Sequence, residues 1–455
     1  MKSKMKSHYG SWESKITPEK IIEGGLRFSE IRSNGSELYF LEGRPEESGR
    51  YVIVKQSSDG KISDVIPKEF NSRNAVHEYG GGSFATGKKN IYFTNWDDQR
   101  VYKVDGENVN PLTIEPPFEK AIRYSDLTLS IDEEWLFCVR ETHFEKGEAK
   151  NQLVAISTTK YTQLVLCTGR DFYSSPRINP ANNEICWLEW DHPNMPWDGN
   201  ELYVGNFNSE GITTKKMIDG ASNISIVQPE WSDSGELIYI SDESGWWNLK
   251  KYSENKNSTI LDEETDHGEP AWNFGVRTYF LKDDYIYLRG SSKNNNKGLI
   301  RKINISGEII EEIEVLHTSI GGLTLHDNKA LYIGASPVSN NEIVSYNFMK
   351  KNEEIIKESN PLKIDIEEIS IPQEISFPTT QNATAYGYFY KPKNKNYQGE
   401  SEEKPPLLVI SHGGPTSATS NALNLSIQYW TNRGIAVVDV NYRGSTGYGK
   451  KFSCL

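Results

Sequence analysis

Apolar and aromatic residues recur along the first 350 residues in short runs separated by polar turns. The runs are LYFLE from Leu38, IYFTN from Ile91, WLFCV from Trp135, ICWLE from Ile185, LIYIS from Leu237, YIYLR from Tyr285 and LYIGA from Leu331. Successive starts lie 53, 44, 50, 52, 48 and 46 residues apart. Each run is only a few residues long and rich in aromatic or β-branched residues, which favours strand over helix. A period near fifty residues is the repeat length of four-stranded propeller blades. Several units share a finer pattern. IRSNGSELYF, LSIDEEWLFC, INPANNEICW and WSDSGELIYI each read as an apolar residue, a polar turn, a glutamate and a strand, so that Glu37, Glu134, Glu184 and Glu236 hold equivalent places. Asn34, Gly35, Asp132, Asn182 and Gly235 suit the tight connection before that strand. A second strand follows in RYVIVKQ, RVYKVD, NQLVAIS and NELYVGN. No long amphipathic helix interrupts the region. The pattern predicts an all-β, seven-bladed propeller over residues 21–365, preceded by an N-terminal arm over residues 1–20. A pair of β-sandwiches, the competing reading, does not account for the even period.

The texture then changes. KKNEEIIKESNPLKIDIEEISIPQE is charged and then strand-like, and it reads as the crossover into a second unit over residues 366–455. KPKNKNYQGESEEKPP reads as a polar surface loop. PPLLVISHGGP predicts a buried strand, Leu407–Ser411, ending in a Gly-rich turn. SNALNLSIQYWTNRG is compatible with a helix that stops at Gly434. IAVVDV is a second continuous apolar strand, the pattern of a parallel sheet covered on both faces. Strand, helix, strand is the βαβ unit of an α/β domain.

The formal charge of -13 excludes nucleic acid and anionic membrane as general partners, since both require clustered Lys and Arg. The N-terminus has no apolar core of a secretory signal, and no run approaches 18 apolar residues. The four cysteines, Cys138, Cys167, Cys186 and Cys454, have no CxxC spacing and read as free thiols of a cytoplasmic protein. His77, His143 and His192 show no paired metal-ligand spacing, so neither metal nor cofactor is expected.

The chemistry-bearing stretch is SHGGP. Without Cβ atoms, the backbone N–H groups of Gly413 and Gly414 can approach a carbonyl closely. In acyl transfer such donors hold the developing oxyanion, each lowering the barrier by roughly 3 kcal/mol. An HGGG-type turn occupies this place in esterases. His412 reads as a structural residue rather than a base.

VHEYGGGSF, VRETH, WLEWDHPNMPWDGNELYV, SDESGWWNL, HGGP and NYRGSTGYG together resemble the prolyl oligopeptidase family of serine peptidases, in particular its acylaminoacyl-peptidase and dipeptidyl-peptidase-like branch. The resemblance covers nearly the whole chain. It implies a propeller capping an α/β-hydrolase domain and a Ser-Asp-His triad that cleaves short peptides. It assigns the oxyanion role to Gly414 and, less directly, Gly413. It also places Tyr442 and Arg443 on a loop beside the active site, with Arg443 as the loop's anchor.

In the α/β-hydrolase fold the nucleophile sits on a GxSxG elbow, with Asp and His following. GGSFA ends in Ala85 and RGSTG begins with Arg443, so neither is an elbow. The triad is therefore expected beyond Leu455, and the SCL ending reads as a frameshift, an early stop or a split gene. On that expectation the chain is a truncated N-terminal portion, inactive alone, with a second polypeptide as possible carrier of the rest of the hydrolase domain. The alternatives are a non-catalytic peptide- or protein-binding propeller and an inert gene remnant.

Overall fold

The computed structural model describes residues 4–22, 25–291, 297–360, 364–414 and 416–454. Pro415 of the HGGP turn and Leu455 lie outside them. Among the described residues there are eight four-stranded sheets and one two-stranded pairing. Seven of the sheets follow one another along the chain, each formed by four strands in sequence order. The first comprises Arg27–Ser33, Leu38–Arg44, Arg50–Gln56 and Ile62–Asp64, all antiparallel. The last ends with Asn352–Glu358.

All seven apolar-aromatic runs fall in the second strand of a sheet, from Leu38–Arg44 to Lys329–Ser336. Sheets stack face to face, so these strands are covered on both sides and their sequences run apolar rather than alternating. The glutamate that opens a run pairs across the hairpin in two sheets, Glu37 with Lys55 at 3.0 Å and Glu236 with Lys251 at 3.2 Å. The series closes on itself. Strand Arg27–Ser33 packs against Ser319–His326. One core cluster joins Phe28 and Phe40 of the first sheet, Phe93 of the second, and Leu331 and Ile343 of the last. Leu26 N donates to Ser359 O at 2.8 Å. The result is a propeller-like ring of sheets.

The first strands of five sheets carry a β-bulge, which breaks the alternation of side chains. Side chains at three of these bulges reach the next sheet. Glu30 accepts from Ser83 N at 3.0 Å, Asp126 from Ser175 N at 2.6 Å and the Gln228 side-chain carbonyl from Thr278 N at 2.7 Å. Buried charges gather on the same strands. Arg177 bridges Asp126 at 3.2 Å and Glu230 at 3.4 Å, Arg277 reaches Glu230 at 3.3 Å, and Arg32 pairs with Glu30 at 3.1 Å. Burial lowers Arg32 to about 10, with Glu30 opposing the shift.

The eighth sheet has the order Gln373–Pro378, Thr384–Tyr390, Ala436–Asn441, Leu407–Ser411. Its last pair is parallel and connected by the helix Leu425–Thr431. Asn424 caps that helix through Ser426 N and Ile427 N, and Gly434 ends it with φ +89°. Leu407–Ser411 departs from the expectation of a buried strand. It is the sheet's edge, with Leu408 and Ile410 packed inward while Leu407 and Val409 are 56% and 61% exposed. Its apolar sequence is that of a strand covered on both faces, but among the described residues nothing covers the outer one. The N-terminal arm packs on this second unit rather than on the ring. Met5–Lys6 pairs in parallel with Tyr397–Gln398, and Arg433 donates to Ile16 O at 2.9 Å. Cys138, Cys167 and Cys186 are buried and Cys454 is exposed, all as free thiols. No helix among the described residues is long and apolar enough to cross a membrane.

Candidate active site

The Gly-rich turn leaves the carboxyl end of strand Leu407–Ser411, where open α/β sheets bind ligands. Its shape is fixed from within. His412 Nδ1 lies 2.7 Å from Gly413 O and Nε2 lies 2.7 Å from Ser445 Oγ. A carbonyl only accepts, so Nδ1 carries a proton, and in the neutral ring Nε2 accepts from the serine. The Tyr442 ring stacks on the imidazole at 4.5 Å. In a trans peptide the C=O and the following N–H point in opposite directions. With Gly413 O turned to the imidazole, Gly414 N–H points away from it. Both glycines are exposed, and Gly414 has φ +146°, a value that side-chain-bearing residues rarely adopt.

His412 and Ser445 have the spacing of a base and a nucleophile, but not the access. Ser445 is fully buried, so no substrate carbonyl reaches its hydroxyl. The pair holds the turn. Arg443, on the same loop, donates to Thr380 Oγ1 at 3.1 Å.

Two further contacts tie this region to the ring of sheets. Trp272 Nε1 donates to Thr416 O at 2.6 Å, just after the turn. Farther along, Gly449 N donates to Asp266 at 3.0 Å and Lys450 Nζ to Asp242 at 2.6 Å, with Lys450 N on Gly245 O at 2.8 Å. A side chain at Gly449 would meet the Trp246 ring at 2.9 Å. SDESGWWNL and NYRGSTGYG, two motifs 200 residues apart in sequence, therefore adjoin one another in the fold.

Beside Trp272 opens a cavity of about 670 Å³ within the ring. Its lining includes the carboxylates Glu78, Glu141, Glu148, Asp171 and Glu269, with Arg177 as the one guanidinium. Glu141 is 4% exposed and accepts from His77 N at 2.9 Å, from Arg123 at 3.2 Å and from His143 at 2.7 Å. Arg123 also reaches Glu78 at 2.8 Å. Glu78, Glu141 and His143 lie close enough to share a cation, and Arg123 brings one positive charge to the two carboxylates. The cavity wall is aromatic. Phe172 and Trp190 stack at 5.4 Å, and the His77 ring packs edge-on against both and beside Phe274. Burial holds His77 down at about 4, so its ring is neutral above that pH, with Glu141 opposing the shift. His192, Met195, Pro196 and Trp197 of the DHPNMPW stretch also line the cavity.

A family model described as the prolyl oligopeptidase family matches residues 421–454, the segment of helix, strand and loop just described. A puromycin-hydrolysing peptidase of Mycobacterium tuberculosis superposes with a TM-score of 0.91 at 28% identity, over 98% of this chain and 71% of that one. Over that segment, and in its whole-chain superposition, the chain is similar to the prolyl oligopeptidase family. A puromycin hydrolase, solved as an S511A mutant in complex with PGG, gives a TM-score of 0.89 at 27% identity over 98% of this chain and 71% of its own. Dipeptidyl-peptidase 5 of Schizosaccharomyces pombe is 22% identical over 423 residues, covering 90% of this chain and 53% of that protein. The chain thus spans about half the length of this curated relative.

Gly413, Gly414, Tyr442 and Arg443 lie together on the second unit. The sequence reading missed that the cavity residues face them from the ring. Glu78, Glu141 and Asp242 were carried in VHEYGGGSF, VRETH and SDESGWWNL, but only the closed ring gives those motifs a common location.

Proposed function

We propose that the chain forms a seven-bladed propeller over residues 21–365 and the first part of an α/β-hydrolase domain over residues 366–455 of a serine peptidase that acts on short peptides with a free amino terminus. The observation that carries this reading is the cavity. Five carboxylates against one guanidinium favour a protonated amine. Aromatic walls suit a short apolar peptide, and the Trp272–Thr416 hydrogen bond sets the cavity beside the Gly turn. Arg123 balances only one of the two charges on Glu78 and Glu141, and a blocked terminus would leave the other unbalanced, so the dipeptidyl or puromycin type is favoured over the acylaminoacyl type. The peptide and puromycin named for the relatives fit the same chemistry.

In this reading Gly414 N–H, and Gly413 N–H beside it, hold the oxyanion of the tetrahedral intermediate, each donor worth roughly 3 kcal/mol. Tyr442 keeps His412 and the turn in place, and Arg443 anchors their loop. With no GxSxG in the sequence, Ser, Asp and His come from residues outside these 455, in a continuing or a second polypeptide.

Calorimetric titration of the chain with alanyl-alanine amide and its N-acetyl derivative tests the assignment. The free amine should bind at least about tenfold more tightly, the equivalent of one lost ion pair of about 1.4 kcal/mol. Equal affinities refute recognition of the amine. A serine-directed fluorophosphonate should leave the 455-residue chain unlabelled; labelling at Ser445 would overturn the placement of the nucleophile.

A further inference from the structure

The segment His77–Gly82 has an unusual backbone. His77, Glu78, Gly80, Gly81 and Gly82 have φ of 51°, 66°, 69°, 95° and 54°. Such conformations cost energy for residues with side chains and persist where surrounding structure enforces them. Enforcement is visible here. Phe274 N donates to Gly80 O at 2.9 Å and Gly81 forms a bridge with Phe274. A Cβ at Gly80, Gly81 or Gly82 would fall 2.3, 2.5 or 2.6 Å from backbone atoms of a neighbouring segment. The segment presents two consecutive side chains outward, Glu78 and Tyr79, and Tyr79 is 54% exposed although it is a large aromatic.

Tyr79 does not stand alone. Its ring lies 5.0 Å from Trp272 at 66°, and Trp272 lies 4.3 Å from Trp197. Trp197 and Trp272 are half-buried, and Met195 beside them is 39% exposed. Exposed rings held by a strained backbone do nothing for a hydrophobic core; they form a receptor for another apolar group. The group's chemistry is set by its flanks. On one side the chain neighbour of Tyr79 is Glu78, which shares Arg123 with Glu141. On the other, Trp272 grips Thr416 beside the Gly turn.

We propose that Tyr79, Trp272 and Trp197, with Met195 at their edge, form a specificity subsite for an aromatic or large unbranched apolar side chain on the substrate residue that carries the free amine. The inference rests on the free-amine reading of the cavity and adds the side chain to it. The amine lies toward Glu78 and Glu141, the side chain on the rings and the carbonyl toward Gly414. Tyr79 and Met195 are open to solvent in the unliganded chain, so substitution there changes the subsite without emptying a core.

The test uses the whole 455-residue chain and four ligands: tyrosyl-alanine amide, alanyl-alanine amide and the N-acetyl form of each, titrated calorimetrically. The wild-type chain should prefer tyrosyl over alanyl by about tenfold or more. Tyr79→Ala should reduce that preference below about threefold while leaving discrimination against the acetylated ligands intact. Tyr79→Phe should restore the preference, since ring area rather than the hydroxyl is used. Thermal melting confirms that each variant is folded. An unchanged tyrosyl preference in Tyr79→Ala refutes the subsite, even if the free amine is still selected. Loss of amine selection with the tyrosyl preference kept refutes the amine reading and leaves the aromatic subsite standing. No binding of any ligand refutes both.

Discussion

Replacing Arg177 by Met tests whether the charges on the bulged strands hold the ring together. The guanidinium bridges Asp126 and Glu230 and also donates to Thr128 Oγ1 at 3.1 Å and Pro176 O at 2.8 Å. Met fills much of the same volume but carries no charge. Glu230 keeps Arg277, so the burden falls on Asp126, which is 3% exposed and retains only the Ser175 N–H among these partners. Stranding a buried carboxylate in this way costs about 3–5 kcal/mol. With an unfolding entropy near 2.1 cal/mol/K per residue over a ring of roughly 330 residues, 4 kcal/mol corresponds to a Tm shift of about 6 °C. The sign of the pH dependence follows from Glu230. Burial pushes its carboxyl up, but Arg277 and Arg177 together hold it below the ordinary 4.5. A lowered folded-state pKa gives stability present above the unfolded value and lost as pH falls through the folded one. The Glu230 share of the Arg177→Met deficit should therefore be present at pH 7 and shrink as pH falls below 4.5. Scanning calorimetry at both pH values measures it, and Asp126→Asn in the same chain should recover part of the loss. A Tm within about 1 °C of wild type at pH 7, or a deficit that is the same at pH 4, refutes the account.

Two other perturbations follow from the geometry. Gly80→Ala places a Cβ 2.3 Å from Asn74 O at φ +69° and should destabilise the chain by more than about 2 kcal/mol. Gly147→Ala, at φ +99° with open space around it, should cost only about 1 kcal/mol. Equal melting temperatures for the two variants would show that the His77–Gly82 segment is not pinned. Burial of His317 opposes its protonation, but its hydrogen bonds to Glu342 and Glu353 win and raise it to about 9. A raised pKa gives stability that is complete below the ordinary value near 6.5 and is lost as pH rises through 9. His317→Gln should therefore flatten the fall in stability between pH 7 and 10 by about 3 kcal/mol relative to wild type. An imidazole that titrates between pH 6 and 7 by NMR would contradict this.

The ring was legible because its second strands are buried on both faces and recur at a steady spacing. LYFLE and WLFCV announce themselves without any tertiary knowledge. The same rule failed at Leu407–Ser411, whose sequence matches a doubly covered strand while Leu407 and Val409 face outward. The Gly turn and the helix stop at Gly434 were legible because glycine carries positive φ in both places. The cavity was not. Glu78, Glu141, Phe172, Trp197 and Trp272 come from stretches nearly 200 residues apart, and only closure of the ring brings them around one space. The charges at Glu30, Asp126 and Glu230 were hidden for a local reason. Each lies at or beside a bulge, where the two-residue period that sequence reading relies on is interrupted.

The N-terminal arm has a consequence for how the chain folds. Lys4 donates to Asn394 O across 390 residues of sequence, so the N-terminal arm waits for almost the whole chain before its strand finds a partner. The Leu26–Ser359 hydrogen bond makes that wait shorter than it looks, because a closed ring returns its exit to its entrance. The effective loop falls from 390 residues to roughly 60, which lowers the closure entropy by about 2 kcal/mol. The ring thus acts as a template for the unit that follows it. A closed ring makes docking of the arm cheaper, so a lesion that opens the ring is felt in a sheet it never touches.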